Sequence, residues 1–158
     1  MNSVLDAAKM IGCLAITLAV GYVGSILTRS SVGSWYGSLR KPALTPPGWV
    51  FAPVWTLLYI MMGLALYLVL RTGWRNSGVA VAAFAVQLGL NLLWSVLFFG
   101  QRLLLWGLVE IGVLWIMILL TTVIFFRLSP LAGWLMAPYL AWVTFASYLN
   151  LAIWQMNR

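Results

Sequence analysis

The chain has 158 residues, 64% of them hydrophobic and only 7% charged, with 10 tryptophans and no histidine. Its mean hydropathy is +1.02, and soluble domains carry roughly 25% charged residues, so a soluble globular fold is excluded. One cysteine and two carboxylates cannot supply a metal centre or a histidine-dependent triad.

Five apolar stretches fill the chain. No charge interrupts residues 10–28, 42–70, 76–101 or 128–157, and residues 103–126 carry only Glu110. A hydrocarbon layer of about 30 Å needs about 20 helical residues. The runs are continuous rather than alternating, which excludes an outer-membrane-type barrel. A helix satisfies its own backbone in lipid. The expected fold is therefore all-α, one five-helix transmembrane domain over residues 1–158. The net charge of +7 does not point to nucleic acid, because the Lys and Arg stand singly or in small groups at span ends, where they meet headgroups.

The first helix is expected over residues 7–28. It carries Ala15, Ala19, Gly21, Gly24 and Ser25, small residues that permit close helix contact. It is long for a signal segment and lacks a clear cleavage site, so it reads as retained. Cys13 lies mid-span and has no partner for a disulfide. Residues 29–46 form the one long connection, where Gly37, Pro42 and Pro46, with Pro47 directly after them, rule out a continuous helix. A long structured loop in so small a protein is often a lid.

The second helix is expected over residues 47–70, with Thr45 or Pro46 near its cap and Pro53 in its second turn. The third covers residues 78–99, the fourth 103–126, and Ser129-Pro130 separates it from the fifth, 131–154. The connections after the second helix are short, so helices two to five should pack as antiparallel neighbours. Lys9, Arg71, Arg75 and Arg127 fall on one side of the membrane and Arg29, Arg40, Lys41, Arg102 and Arg158 on the other. That balance sets no orientation by the positive-inside rule.

Aromatic and amide residues recur at helical spacing. Phe51, Trp55, Tyr59 and Met62 share a face, as do Gln87, Asn91, Trp94 and Phe98. Tyr139, Trp142, Phe145, Ala146 and Asn150 lie along one side of the fifth helix. Amides in lipid need a partner, either another helix or a ligand, and spacing leaves both open for Gln87 and Asn91. Trp35, Trp74, Trp106, Trp134 and Trp154 lie near span ends and read as an interfacial belt. Trp94 and Trp142 lie further inside. A cavity lined by such rings suits a flat, conjugated, mostly apolar ligand. Glu110 reads as a proton or cation site, a partner for a loop arginine, or a neutral acid bonded to a neighbour. Ala85 and Gly89 make a small-residue stripe, either a dimer seam or an internal contact.

These residues resemble a known family. Trp35-Tyr36-x-x-Leu39-x-Lys41-Pro42-x-x-x-Pro46-Pro47-x-Trp49-Val50, then Pro53-Val54-Trp55-x-x-Leu58-Tyr59, is similar to the loop and second helix of the tryptophan-rich sensory protein and translocator protein family, also called peripheral-type benzodiazepine receptors. Gln87-Leu88-x-Leu90-Asn91-x-x-Trp94, Phe98-Phe99-Gly100-x-Arg102 and Pro138-Tyr139-Leu140-Ala141-Trp142 extend the resemblance to about residue 154. It implies a five-helix bundle, commonly a homodimer, binding porphyrins such as protoporphyrin IX and other hydrophobic ligands under the first loop. The implied pocket residues are Tyr36, Phe51, Trp55, Tyr59, Asn91, Trp94, Trp142 and Ala146. The loop's own basic residues, Arg29, Arg40 and Lys41, are the expected partners for porphyrin propionates.

No cofactor is required on this reading; a porphyrin enters as ligand or substrate. The resemblance leaves one chemistry open, light-dependent porphyrin breakdown with Trp55 and Trp142 as redox partners. It also leaves a cholesterol or lipid transporter open. The steroid-recognition segment of animal members needs Tyr and then Arg where this chain has Leu151 and Gln155. The short N-terminus and the absence of a basic tail suggest a prokaryotic member in a bacterial or archaeal cell membrane.

Overall fold

The computed structural model describes residues 3–158, apart from the side chains of Ser3, Trp74 and Asn76. The belt assignment of Trp74 therefore lies outside the described residues. The chain is 87% helical, with no strand among the described residues. In chain order the elements are α1 (Ser3–Val32), α2 (Trp35–Ser38), α3 (Gly48–Leu70), α4 (Trp74–Ser95), a π turn (Val96–Gly100), α5 (Leu104–Leu128) and α6 (Pro130–Met156). Five helices are long and apolar enough to cross a membrane: α1, α3, α4 with its π turn, α5 and α6.

Several boundaries differ from expectation: α1 spans Ser3–Val32 rather than 7–28, and α4 starts at Trp74 rather than 78, whereas the Ser129-Pro130 break falls where expected. Neither Thr45 nor Pro46 caps α3. Pro47 takes that position without a side-chain bond, and Thr45 instead closes a turn onto the carbonyl of Pro42, through its backbone N–H at 3.0 Å and its hydroxyl at 2.8 Å. At the other end of the bundle, Ser129 accepts from the N–H of Ala132 at 3.4 Å, and Pro130 follows at the first position of α6.

The helices form a ring in the order α1, α3, α6, α5, α4. The pairs α4–α5 and α5–α6 pack as consecutive neighbours, as expected. The pair α3–α4 barely touches, because α1 wedges between them. Glycine explains the wedge. A Cβ on Gly21 would lie 2.5 Å from the Tyr59 ring, and one on Gly63 would lie 3.0 Å from the Cα of Leu14. Helix association in lipid rests on such close van der Waals contact. Of the small residues singled out on α1, Gly21 and Gly24 face the bundle, whereas Ala15, Ala19 and Ser25 are exposed.

The tightest packing lies toward the α3–α4 connection, where Met62, Ala65, Val69, Ile118 and Phe125 are fully buried. Phe84 stacks on Phe125 with centroids 5.7 Å apart. The opposite end of the bundle is more open and carries the loop.

Candidate ligand cavity

Residues 33–47 form a roof over one end of the bundle. The single turn of α2 leaves carbonyls without helical partners, and Lys41 satisfies them. Its Nζ donates to the carbonyls of Tyr36 (2.6 Å), Leu39 (3.2 Å) and Gly37 (3.3 Å). It also stands 4.8 Å over the Tyr36 ring. The ammonium expected to meet a propionate is thus turned into the roof itself, while Arg40 is exposed.

The underside of the roof is aromatic. Trp35 meets Phe98 at 5.9 Å, and Tyr36 meets Phe98 at 6.2 Å and Phe99 at 5.4 Å. Burial pushes the Tyr36 phenol above its ordinary pKa. The Arg102 guanidinium lies 5.9 Å over Trp35. Phe98 and Phe99 both reach the roof because α4 ends in a π turn, in which the N–H of Gln101 bonds the carbonyl of Val96 at 2.7 Å. Phe98 rests on Gly107, where a Cβ would come within 3.1 Å of its ring.

Beneath the roof lies a cavity of about 30 Å³, lined by Tyr36, Phe51, Trp94, Phe98, Ala146 and Asn150, with Phe99, Leu149 and Ile153 completing it. That volume suits a water or two. Drug-sized ligands occupy pockets of about 300–1,000 Å³, so the cavity is closed to a macrocycle in this conformation.

The floor is polar and already bonded. Trp94 Nε1 donates to Asn150 Oδ1 at 3.1 Å, and Asn150 Nδ2 donates to the carbonyl of Leu104 at 3.1 Å. Two turns below Phe98, the Tyr59 hydroxyl donates to Asn91 Oδ1 at 2.6 Å and Asn91 Nδ2 donates to the Tyr139 hydroxyl at 3.0 Å. Asn91 therefore ties α3, α4 and α6 together. Gln87 behaves differently: it is 0% exposed, and neither amide atom has a partner. Glu110 is 7% exposed, and neither oxygen has a partner. A bond from Glu110 to a loop arginine or to a neighbour is therefore not what the structure holds.

A second space opens sideways between α3 and α6. It measures about 420 Å³ and is lined by Val54, Leu57, Met61, Pro138, Trp142 and Phe145, among others. Phe51 of the inner cavity and Trp142 of the outer groove meet edge-on, with centroids 6.0 Å apart.

Of the residues assigned to the pocket, Tyr36, Phe51, Trp94 and Ala146 line the inner cavity. Trp142 lines the groove. Trp55 packs on Tyr59 at 5.7 Å and Tyr139 at 6.2 Å, so with Tyr59 and Asn91 it belongs to the layer under the cavity. Phe98 and Asn150 also line the cavity, from the same helical faces as Trp94 and Ala146, although the resemblance does not place them there. The orientation of Phe99 depends on the π turn, which helical periodicity does not signal. Ala85 and Gly89 lie exposed on the outside of α4, with nothing within 4 Å of a Cβ placed on Gly89. Of the tryptophans expected in a belt, Trp106 and Trp134 are exposed, whereas Trp35 packs on Phe98 beneath the roof.

The model of the TspO/MBR family matches residues 13–155. The tryptophan-rich protein TspO of Chlorobaculum tepidum is 52% identical over 147 residues, covering 92% of this chain and 93% of the relative. That of Archaeoglobus fulgidus is 44% identical over 153 residues, covering 97% and 99%. The human translocator protein is 37% identical over 162 residues, covering 96% and 94%.

Proposed function

Because the chain belongs to the TspO/MBR family, an integral membrane protein of five apolar helices, we propose that it binds tetrapyrroles and acts in porphyrin sensing or carriage. The observation that carries this reading is the aromatic chamber under the roof, where Tyr36, Phe51, Trp94 and Phe98 converge on one space. The names of two relatives, tryptophan-rich sensory protein and translocator protein, agree with a sensory or transport role. A macrocycle replaces ring–ring contacts with others of the same kind, each worth about 0.5–1.5 kcal/mol beyond area burial. The exposed Arg40 supplies charge at the rim for a propionate.

A photochemical reading stands second. It rests on the contact of Trp142 with Phe51, which brings an indole to the wall of the chamber. A second copy of the chain packing along α4 is part of the same proposal, supported by the exposed Ala85 and Gly89.

The test is a titration with protoporphyrin IX in detergent, read by tryptophan fluorescence in the dark and then under light. Saturable quenching that Trp94→Leu weakens supports binding in the chamber. Quenching that never saturates means partitioning into micelles and overturns the reading. Loss of porphyrin absorbance under light, absent in Trp55→Phe and Trp142→Phe, would establish the photochemical alternative.

A further inference from the structure

The roof and the end of α6 are joined through one side chain. Asn157, just past the end of α6, accepts from the N–H of Arg40 through Oδ1 at 3.0 Å and donates through Nδ2 to the carbonyl of Arg40 at 2.8 Å. The same Nδ2 donates to the carbonyl of Ile153 at 2.7 Å, and the backbone N–H of Asn157 bonds the carbonyl of Trp154 at 3.3 Å. The amide is thus aimed by α6 and grips the roof backbone as a neighbouring strand would. Apart from Ser34, whose hydroxyl donates to the Ser30 carbonyl at 2.7 Å where the roof leaves α1, no other side-chain hydrogen bond among the described residues links residues 33–47 to a spanning helix. The remaining contacts are ring edges on Phe98 and Phe99 and the Arg102 guanidinium over Trp35. Aromatic edges prefer loose geometries and resist sliding weakly.

The roof is also built to move as one piece. Lys41 and Thr45 hold it together from within. Gly33 and Gly48 flank it, each with open space where a Cβ would stand. The cavity below holds about 30 Å³, so a macrocycle enters only after something opens. We propose that Asn157 is a latch: it sets the closed position of the roof and so controls how fast a tetrapyrrole reaches and leaves the chamber. This rests on the binding reading above. Asn157 is a positioning residue; it lines neither space.

Asn157→Asp keeps shape and acceptor but loses both donated bonds and sets a carboxylate against the Arg40 carbonyl. Association and dissociation of protoporphyrin IX, followed by stopped-flow fluorescence, should both rise about three- to ten-fold, with Kd changing less than either rate. A merely structural lesion lowers binding capacity instead. In a Cys13→Ala background, Arg40→Cys with Asn157→Cys loses the rim charge whether bridged or not, so the bridge is judged against the unbridged pair: a short bismaleimide should slow association at least tenfold relative to that pair. Equal rates for the bridged and unbridged forms overturn the latch and place the entrance between α3 and α6. If wild type itself shows no saturable binding, the functional reading fails, and hydrogen exchange still judges the latch. Faster exchange in residues 33–47 of Asn157→Asp supports it, and unchanged exchange overturns it.

Discussion

Phe51 and Trp142 meet edge-on at 6.0 Å, and each ring borders a different space. Phe51 closes the side of the inner cavity, and Trp142 forms part of the groove that faces lipid. Two helices therefore contribute one partition, and the size of the chamber depends on rings that neither helix holds alone.

Removing that partition should join the two spaces. Phe51→Ala is expected to weaken protoporphyrin IX binding by about tenfold, the equivalent of about 1.4 kcal/mol. The side chain is only half-buried, so the stability loss should fall below the 3–5 kcal/mol typical of a core Phe→Ala change, at about 1–2 kcal/mol. Titration and thermal unfolding of the same preparation separate the two effects. An unchanged affinity would show that the ligand does not lean on Phe51.

The bonds through Asn91 predict a different signature. Asn91→Leu strands the buried hydroxyls of Tyr59 and Tyr139, which bond it at 2.6 and 3.0 Å. The expected cost is about 1–3 kcal/mol in mixed-micelle unfolding. Interhelical hydrogen bonds in membranes average near the low end of such values, about 0.6–2 kcal/mol, which makes the lower figure the sharper expectation.

Glycines on two helices should tolerate enlargement differently. Gly21→Ala drives a Cβ into the Tyr59 ring and should destabilise the fold by about 1–3 kcal/mol, since Tyr59 is buried and bonded. Gly89→Leu meets nothing within the protomer, so its thermal stability should stay near wild type. If α4 is the seam for a second copy, Gly89→Leu should shift the protein from dimer toward monomer in light scattering. A protein monomeric at the outset would remove the dimer proposal.

Glu110 invites a test of burial without partners. Glu110→Leu removes a buried carboxyl that bonds nothing and should raise stability by about 1–3 kcal/mol. A carboxyl kept at such a cost is a candidate for transport. Porphyrin flux across proteoliposomes should therefore fall in Glu110→Gln while affinity holds. Flux equal to wild type would leave Glu110 without a part in carriage.

Hydrophobicity sums along the chain, so the five spans, the long loop and the aromatic faces of α3, α4 and α6 were legible in the amino-acid sequence before any contact was known. The pocket residues came from the family resemblance alone, which named Tyr36, Phe51, Trp94 and Ala146 together with Trp55, Tyr59 and Asn91, and the last three fall in the layer below the cavity. Other features lay beyond that reading because they depend on pairs of residues far apart. Gly21 and Gly63 make α1, not α4, the close neighbour of α3. A single widened turn swings Phe99 under the roof. Lys41, a free cation in one dimension, folds back onto three carbonyls. Asn157 carries no periodic signal at all, yet it reaches Arg40 across 117 positions. Lipid demands only that a segment be apolar and helical. Which segments touch, and what space they leave, is decided by shape and by hydrogen bonds that form only once the helices stand side by side.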